Sequence, residues 1–141
     1  MTQLEKLKQW LLCYPNWDAG QLLYIDFTDA VPGNVGLFPK GLEEIGRSED
    51  ILGRKTVTCR LRFALYRVTA SREDRAADAA WLLDFQNWVQ TQSAFGLAPQ
   101  FGDVPGRERI RAEKGVLKKA DQTGTGTYAV VLTAEFAKIY G

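Results

Sequence analysis

The sequence predicts an α+β fold, in which an antiparallel or mixed sheet of about four main strands carries two helices on one face. Three observations support this class. Residues 57–66 alternate apolar and polar side chains as a strand does, and residues 77–92 space their apolar side chains as a helix does. Two strand-like segments separated by a turn then close the chain. The predicted order is helix, strand, two short strands, long strand, helix, strand and strand.

The first helix is marked by a capping box. Thr2 and Glu5 have the T-x-x-E spacing, in which each side chain bonds the backbone N–H of the other residue. Apolar residues follow at helical spacing as far as Leu11, and Pro15 predicts that the helix ends close to it. Residues 21–28, QLLYIDFT, then alternate in the manner of a strand.

Residues 30–41, AVPGNVGLFPKG, are rich in turn formers, and the sequence predicts at most a short strand at residues 35–38. A second short strand is predicted around Ile45, followed by a loop. The passage at residues 40–54 carries apolar residues among charges and glycines: Leu42, Ile45, Ile51 and Leu52. These are too few to anchor a core, yet more than a solvated loop needs, which is typical of a contact surface. An ordinary surface hairpin with Ile45 turned inward is the alternative.

The clearest strand is the stretch KTVTCRLRFALYRVT. Its apolar side chains occupy every second position: Val57, Cys59, Leu61, Phe63 and Leu65. Arg60 and Arg62 lie between them and Arg67 follows, so we expect one face of the strand to enter the core and the arginines to face something wet or charged. Solvent, a neighbouring subunit and nucleic acid are the candidates that the residues leave open.

Ser71 is a suitable N-cap for the second helix, which has two acidic residues in its first turn, where carboxylates suit the helix dipole. A largely aromatic stripe follows at helical spacing: Ala77, Trp81, Phe85, Trp88 and Gln92. This stripe predicts a face buried against the sheet rather than a cofactor site. Residues 107–120 and 127–140 then predict a hairpin, with a bulge or kink at Gly115.

Length and composition indicate a single globular domain over residues 1–141. The chain has 141 residues, of which 45% are hydrophobic and 25% charged, close to the average of globular proteins. No apolar run approaches the roughly 20 residues that cross a bilayer, and the charged first helix does not resemble a secretory signal. Cys13 and Cys59 form no C-x-x-C motif, and we expect both to be reduced core residues.

Charge is segregated along the chain although the formal net charge is only +1. Residues 16–50 hold seven acids and two bases (−5), whereas residues 54–72 hold six bases and no acid (+6). Residues 73–104 return to −4 with five acids and one base, and residues 105–119 reach +4 with six bases and two acids. Such blocks can match within the fold, as complementary faces of neighbouring strands, or between copies of the chain.

Candidate catalytic residues are scarce. The chain contains no histidine, which excludes His-based triads, His-metal sites and imidazole acid–base chemistry. No nucleophile elbow and no phosphate-binding glycine loop is present. Asp26 and Asp29 could form a carboxylate pair, but at the end of a strand such a pair is commonly solvated. We therefore expect no enzyme activity, no cofactor and no metal site.

Nucleic-acid binding is an alternative. Basic residues of the two predicted strands could line a phosphate-contacting sheet face, with Tyr66 and Tyr128 stacking on bases: Arg60, Arg62, Arg67, Arg107, Arg109, Arg111, Lys114, Lys118 and Lys119. The acidic blocks beside the basic ones, and the small net charge, weigh against a dedicated binder.

A series of motifs in order covers nearly the whole chain. An amphipathic helix with a Trp near its end is followed by the strand LLYIDF, a V-P-G turn and a short strand that ends in F-P. The long strand RLRFALYR comes next and continues through S-R-E-D into a helix that ends in F-x-x-W-V-x-x-Q. L-A-P and a last strand, YAVVLTAEF, complete the series. This order resembles a family of small proteins of tailed phages, prophages and phage-tail-like particles of Gram-positive bacteria. They are described as minor capsid, head–tail joining or tail terminator proteins, and some are labelled "chloramphenicol resistance protein".

The resemblance implies a structural protein that caps the finished tail tube as a ring, commonly of six subunits, and so stops tube growth. The implied partners are further copies of the chain, the tail tube protein and the head completion or connector proteins, with DNA only passing through the lumen and no membrane. The implied location is the virion or tail-like particle, assembled in the cytoplasm of the bacterial host. A monomeric adaptor or nucleic-acid-binding module of similar fold remains the alternative.

Within that role, two groups of residues are candidate contact sites. Arg60, Arg62 and Arg67 are expected at a subunit interface or in the ring lumen. Leu42, Ile45, Ile51 and Leu52 are expected in a tube-docking loop that is mobile in the free protein and orders when the ring meets the tube.

Overall fold

The computed structural model describes residues 2–17, 23–25, 35–69, 75–120 and 126–141. Their elements are, in chain order, helix α1 (Gln3–Leu11), strands β1 (Leu23–Ile25), β2 (Val35–Glu49) and β3 (Lys55–Thr69), helix α2 (Arg75–Ala94), a 3₁₀ turn (Pro105–Arg107) and strands β4 (Arg109–Ala120) and β5 (Gly126–Tyr140). The strands form one sheet in the order β1-β2-β3-β5-β4. β1 pairs in parallel with β2, and the other four strands are antiparallel. The predicted α+β class is confirmed.

Strand β3 organises the sheet because it pairs along its length with β2 on one side and β5 on the other. The predicted alternation is confirmed, with the side chains at Val57, Cys59, Leu61, Phe63 and Leu65 all buried. They share one hydrophobic core with residues of both helices. We call this side of the sheet the helix face and the opposite side, which carries Arg60 and Arg62, the open face.

Helix α1 begins at the predicted capping box. The Thr2 backbone N–H donates to Glu5 Oε2 at 3.1 Å, and the Glu5 N–H donates to Thr2 Oγ1 at 3.2 Å. Leu7 and Leu11 are fully buried on its inner side. The helix ends at Leu11, and the chain turns there with the Tyr14 N–H bonded to the Leu11 carbonyl at 3.0 Å.

An aromatic cluster joins the two helices. Trp81 and Phe85 of α2 are buried and stack with their ring centres 5.4 Å apart. Tyr14 meets Phe85 edge-on at 5.3 Å, and Trp10 lies 4.6 Å from Trp88. The prediction that the α2 stripe is buried is therefore confirmed for Trp81 and Phe85, whereas Trp88 is only partly buried and packs against α1.

Tyr14 also ties the end of α1 to α2 through its hydroxyl. That hydroxyl donates to the Asp84 carboxylate, which accepts a second hydrogen bond from Asn16 Nδ2 at 2.7 Å. Burial, followed by the hydrogen bond to Asp84, raises the pKa of Tyr14 well above its ordinary value. The hydroxyl therefore remains a donor at any physiological pH, and the two helices stay linked.

Strand β2 corrects the prediction of two short strands and a loop. It is one strand of 15 residues, interrupted by register shifts between Pro39 and Gly41 and between Glu44 and Gly46. Each shift is a bulge, at which one extra residue changes the face to which later side chains point. Gly41 has φ +118°, which a residue with a Cβ rarely adopts. The bulges broke the alternation from which a continuous strand could have been predicted.

The closing hairpin is confirmed, and a register shift between Glu113 and Val116 places a bulge at the predicted position of Gly115. Of the predicted strand at residues 21–28, the described part is β1, Leu23–Ile25. The Asp26 and Asp29 pair and the Ser71 N-cap lie outside the described residues.

Candidate functional site

The open face carries a row of cross-strand ion pairs. Register places Arg60 of β3 opposite Glu43 of β2 and opposite Glu135 of β5. Its guanidinium lies 3.5 Å from the Glu43 carboxylate and 3.1 Å from that of Glu135. Arg62 reaches Glu43 at 3.8 Å, and Arg111 of β4 reaches Glu135 at 4.0 Å. We call this row, which crosses four strands, the charge ladder.

The charge ladder gives the segregated charge blocks a partner inside the fold. Arg60 and Arg62 come from the +6 block, and Glu43 comes from the −5 block. Arg60 and Glu135 keep only about a quarter of their side-chain surface exposed, while Glu43 and Arg62 keep about half. The ladder therefore presents alternating, largely compensated charge to whatever lies over the open face.

Arg67 does not join this row. It is opposite Val35 and Tyr128, on the helix face, and only 4% of its surface is exposed. Its guanidinium lies 4.1 Å from the ring centre of Trp81, a cation–π contact. We predicted one contact site that contains Arg60, Arg62 and Arg67. The structure separates Arg67 from the other two, because Arg67 lies in the core on the helix face.

The second candidate site is an arm of the sheet. We define the arm as residues 41–57 with residues 138–140 of β5, which lie beside them. The residues predicted to form a docking loop are all on it and exposed: Leu42 (55%), Ile45 (38%), Ile51 (102%) and Leu52 (87%). Tyr140 (55%) is exposed on the helix face of the arm, and Ile139 (38%) is exposed on its opposite face.

The arm is a strand-and-turn structure, which corrects the expectation of a loop. Residues 50–54 form the turn between β2 and β3, and the Asp50 carboxylate accepts the N–H groups of Leu52 and Arg54, each at 2.9 Å. Gly53 has φ +83°, a conformation that suits glycine. Asp50 is exposed, and the hydrogen bonds from the Arg54 and Leu52 backbone lower the pKa of its carboxyl. The arm thus has its own backbone bonding before any partner is present.

A groove of about 490 Å³ opens on the helix face of the arm. Its floor is formed by the nearly buried Val57 (6%) and Cys59 (7%), and Leu42 and Tyr140 stand half-exposed at its sides. The remaining lining residues are charged: Glu44, Arg47 and Lys55. Among the lining residues none comes from a helix, so the groove lies where the helices no longer cover the sheet.

The base of the arm is covered by residues 102–108, the segment that precedes β4, and we call this segment the seal. The Asp103 N–H donates to the Ala137 carbonyl at 2.8 Å, and the Ile139 N–H donates to the Asp103 carboxylate at 2.9 Å. Gly102 packs so tightly there that a Cβ at its position would overlap the Ala137 carbonyl oxygen. Glu108 holds the segment in place by accepting the Gly102 N–H at 2.7 Å.

Glu108 is a buried carboxylate in this seal. Its Oε2 atom is buried without a hydrogen-bond partner among the described residues. Burial raises the pKa of Glu108, although hydrogen bonds from the Gly102 and Phe101 backbone act in the opposite direction. Sequence reasoning missed this residue, because nothing in its neighbourhood distinguishes it from a surface glutamate.

The two cysteines differ. Cys59 is buried under the groove, where burial raises the pKa of its thiol, and Cys13 is exposed, so the expectation that both are core residues is wrong for Cys13. No group of three or more Cys, Asp or Glu side chains in the described part of the chain is arranged to hold a metal ion. Neither of the helices, over their described residues, is long and apolar enough to span a membrane.

Comparison with known proteins gives no match, either among protein-family models or among curated proteins. The functional assignment therefore depends on the surfaces described above and on the order of motifs in the sequence.

Proposed function

We propose that this chain is a structural assembly protein that caps the end of a phage or phage-like tail tube as a ring of copies. The ring stops tube growth and provides a surface for head completion proteins. The observation that carries the proposal is the arm, a structured extension of the sheet whose large apolar side chains face water in the single chain. Monomeric proteins seldom keep such surfaces without a partner.

The open face suits the same role. A ring that surrounds a passage for DNA needs an inner surface that does not hold the phosphate backbone. In the charge ladder, Arg60 and Arg62 are neutralised by Glu43 and Glu135, which leaves little free positive charge for phosphate binding. The same pairing engages Arg60 and Arg62, two of the basic residues on which the alternative of a nucleic-acid-binding module depends.

The proposal is tested first by the mass of the chain in solution. A ring of six has a mass of about 95 kDa, six times the 15.8 kDa of one chain. We expect light scattering to show a closed oligomer of this order, in the free protein or after addition of the tube protein from the same genome.

The second test measures capping directly. Tube protein polymerised with the chain present should give shorter tubes that carry a ring at one end in electron micrographs. A chain that stays monomeric both alone and with tube protein, and leaves tube length unchanged, would contradict the proposal.

A further inference from the structure

The two outer edges of the sheet differ in how their backbone groups are covered. At one edge lies β4, and β5 extends past it, because the β4–β5 pairing begins at Arg109 and Glu135 while β5 continues to Tyr140. At the other edge, β1 pairs with β2 only as far as Leu37, and β2 continues to Glu49. An unpaired strand edge presents a row of N–H and C=O groups with which another chain can form a strand pair.

Along β4, side chains of α2 bond the backbone groups that point away from β5. The Ile110 N–H donates to Ser93 Oγ at 3.1 Å, and Gln86 Nε2 donates to the Ala112 carbonyl at 3.4 Å. Residues two apart in a strand direct their backbone groups to the same side, so these bonds occupy successive positions of one edge. Ile110 and Ala112 are accordingly buried.

At the end of β5, one residue of the seal bonds two further edge groups. The Asp103 N–H donates to the Ala137 carbonyl at 2.8 Å, and the Asp103 carboxylate accepts the Ile139 N–H at 2.9 Å. Asp103 therefore stands where a neighbouring strand would otherwise pair with β5. We call the three residues that bond this side of the sheet the edge guards: Gln86, Ser93 and Asp103.

The outer edge of β2 has no comparable cover in the part of the chain that the structure describes. Beyond Leu37, no described strand pairs with the outer side of β2, and residues 39–49 are all exposed. Pro39, which lacks an N–H, and the two bulges make this edge a poorer template for pairing. Uninterrupted runs nevertheless remain at residues 41–44 and 46–49.

We propose that the edge guards prevent the β4–β5 edge of one copy from pairing with the outer edge of β2 in another copy. If both edges were open, each copy would add one neighbour on each side. Such a head-to-tail contact grows into a filament unless its geometry closes it. This role does not depend on the proposed ring, because it concerns an association that the chain avoids.

The first experiment removes two of the edge guards. The double variant Ser93→Ala/Asp103→Ala leaves the Ile110 and Ile139 N–H groups without their acceptors. The matched control is Ser93→Thr/Asp103→Asn, which keeps a hydroxyl and an amide oxygen as acceptors at the same places. Both are compared at a temperature at which far-UV circular dichroism shows them to be folded.

We expect the mean mass of the alanine variant, measured by light scattering, to rise with time and concentration to at least about five times that of the control. The control should keep the mass of wild type. If the side chains only stabilise the single chain, the alanine variant will unfold more easily without this growth. Equal masses of the two variants would overturn the proposal.

A single variant keeps the test valid if the double variant does not fold. Asp103 is exposed, so Asp103→Ala should fold, and it still frees the Ile139 N–H. We expect the same growth at a lower rate, with Asp103→Asn as its control. A folded Asp103→Ala chain whose mass stays equal to that of Asp103→Asn would likewise count against the guards.

The second experiment identifies the edge that receives the unguarded one. Wild-type chain, at a concentration at which it is monomeric, is added in equal amount to the double variant while the variant concentration is held constant. A wild-type copy can add its β2 edge to an unguarded β4–β5 edge, but its own guards stop the next addition, so the mean mass should fall. Aggregation of unfolded chains has no such terminator. A mean mass that wild type leaves unchanged would exclude the β2 edge and overturn the proposal.

The guards and the proposed ring can fail separately. The ring is tested by the mass of wild type and by tube capping, whereas the guards are tested by the difference between the alanine variant and its control. A wild-type monomer with a growing alanine variant supports the guards and contradicts the ring. A wild-type ring with alanine and control variants of equal mass supports the ring and overturns the guards.

Discussion

The two ends of strand β3 have the same alternating sequence pattern and different surroundings. From Phe63 to Arg67, its helix-face side chains are sealed under the aromatic cluster of α1 and α2. From Lys55 to Val57, the same face opens into the groove of the arm. The sheet is longer than the helices that cover it, and the uncovered length carries the surfaces for which we propose partners.

The difference shows where the chain keeps its stability and where it presents its contacts. In the covered region, removing atoms leaves a cavity in a packed core. In the arm, side chains such as Ile51 and Leu52 are already in water, so their removal should cost little in the monomer.

The largest effect is expected for Phe85→Ala in the covered region. Phe85 is fully buried and lies against Trp81 and Tyr14. Its truncation should lower the free energy of unfolding by about 3–5 kcal/mol, measured by urea denaturation. Leu52→Ser on the arm is the comparison and, at a protein concentration at which the chain is monomeric, should change it by less than about 0.5 kcal/mol. Similar losses for both variants would remove the distinction between the regions.

A smaller effect is expected at the seal between the regions. A Cβ at Gly102 would overlap the Ala137 carbonyl oxygen and crowd the Phe136 ring, so Gly102→Ala must displace backbone. We expect a loss of about 1–3 kcal/mol in the free energy of unfolding. Gly106→Ala is the matched control, because no described atom lies within 4 Å of a Cβ there. Equal stability of the two variants would show that the seal is not tight.

The sequence predicts the covered region better than the arm. The capping box at Thr2 and Glu5, the stripe with Trp81 and Phe85 and the closing hairpin are local signals, and the structure has each of them. The prediction for β2 was wrong about its length, because its two bulges change the face to which the following side chains point. After the first bulge, Leu42 lies opposite Leu61 on the helix face.

The candidate sites could be predicted only in part, for related reasons. The exposure of the arm's apolar residues followed from their isolation among charges. The pairing of Arg60 with Glu43 and Glu135 could not be predicted, because it depends on the register of the strands, which the bulges in β2 determine. Arg67 was predictable in principle: it shares the odd-numbered positions of Val57 to Leu65, and counting along the strand places it on the helix face.

The third prediction concerns the charge ladder. Arg60→Ala removes the charge between Glu43 and Glu135, and leaves the half-buried Glu135 with fewer compensating charges. We expect a loss of about 1 kcal/mol in unfolding free energy at low salt, shrinking as salt screens the charges. Arg54→Ala is the control, because Arg54 is 61% exposed and its pair with Asp50 lies within the turn. An effect of Arg60→Ala that does not change with salt would indicate lost packing rather than lost pairing.

The smallest expected effect is a pH dependence carried by Glu108 at the seal. Burial raises the pKa of this carboxyl, so the folded chain holds its proton more tightly than the unfolded chain does. The resulting stability is fully present at pH values below the ordinary Glu pKa of about 4.3 and is lost as pH rises through the raised pKa.

Glu108→Gln should remove this term, because glutamine stays neutral and can still accept the Gly102 N–H through its oxygen. We therefore expect the stability of the variant to gain on that of wild type as pH rises from 4 to 8, as measured by urea denaturation at each pH. Glu49→Gln on the arm controls for the loss of one negative charge. If the unfolding free energies of Glu108→Gln and wild type change in parallel over this pH range, the Glu108 carboxyl is in contact with water. The base of the arm would then be solvated, as Ile51 and Leu52 at its end are.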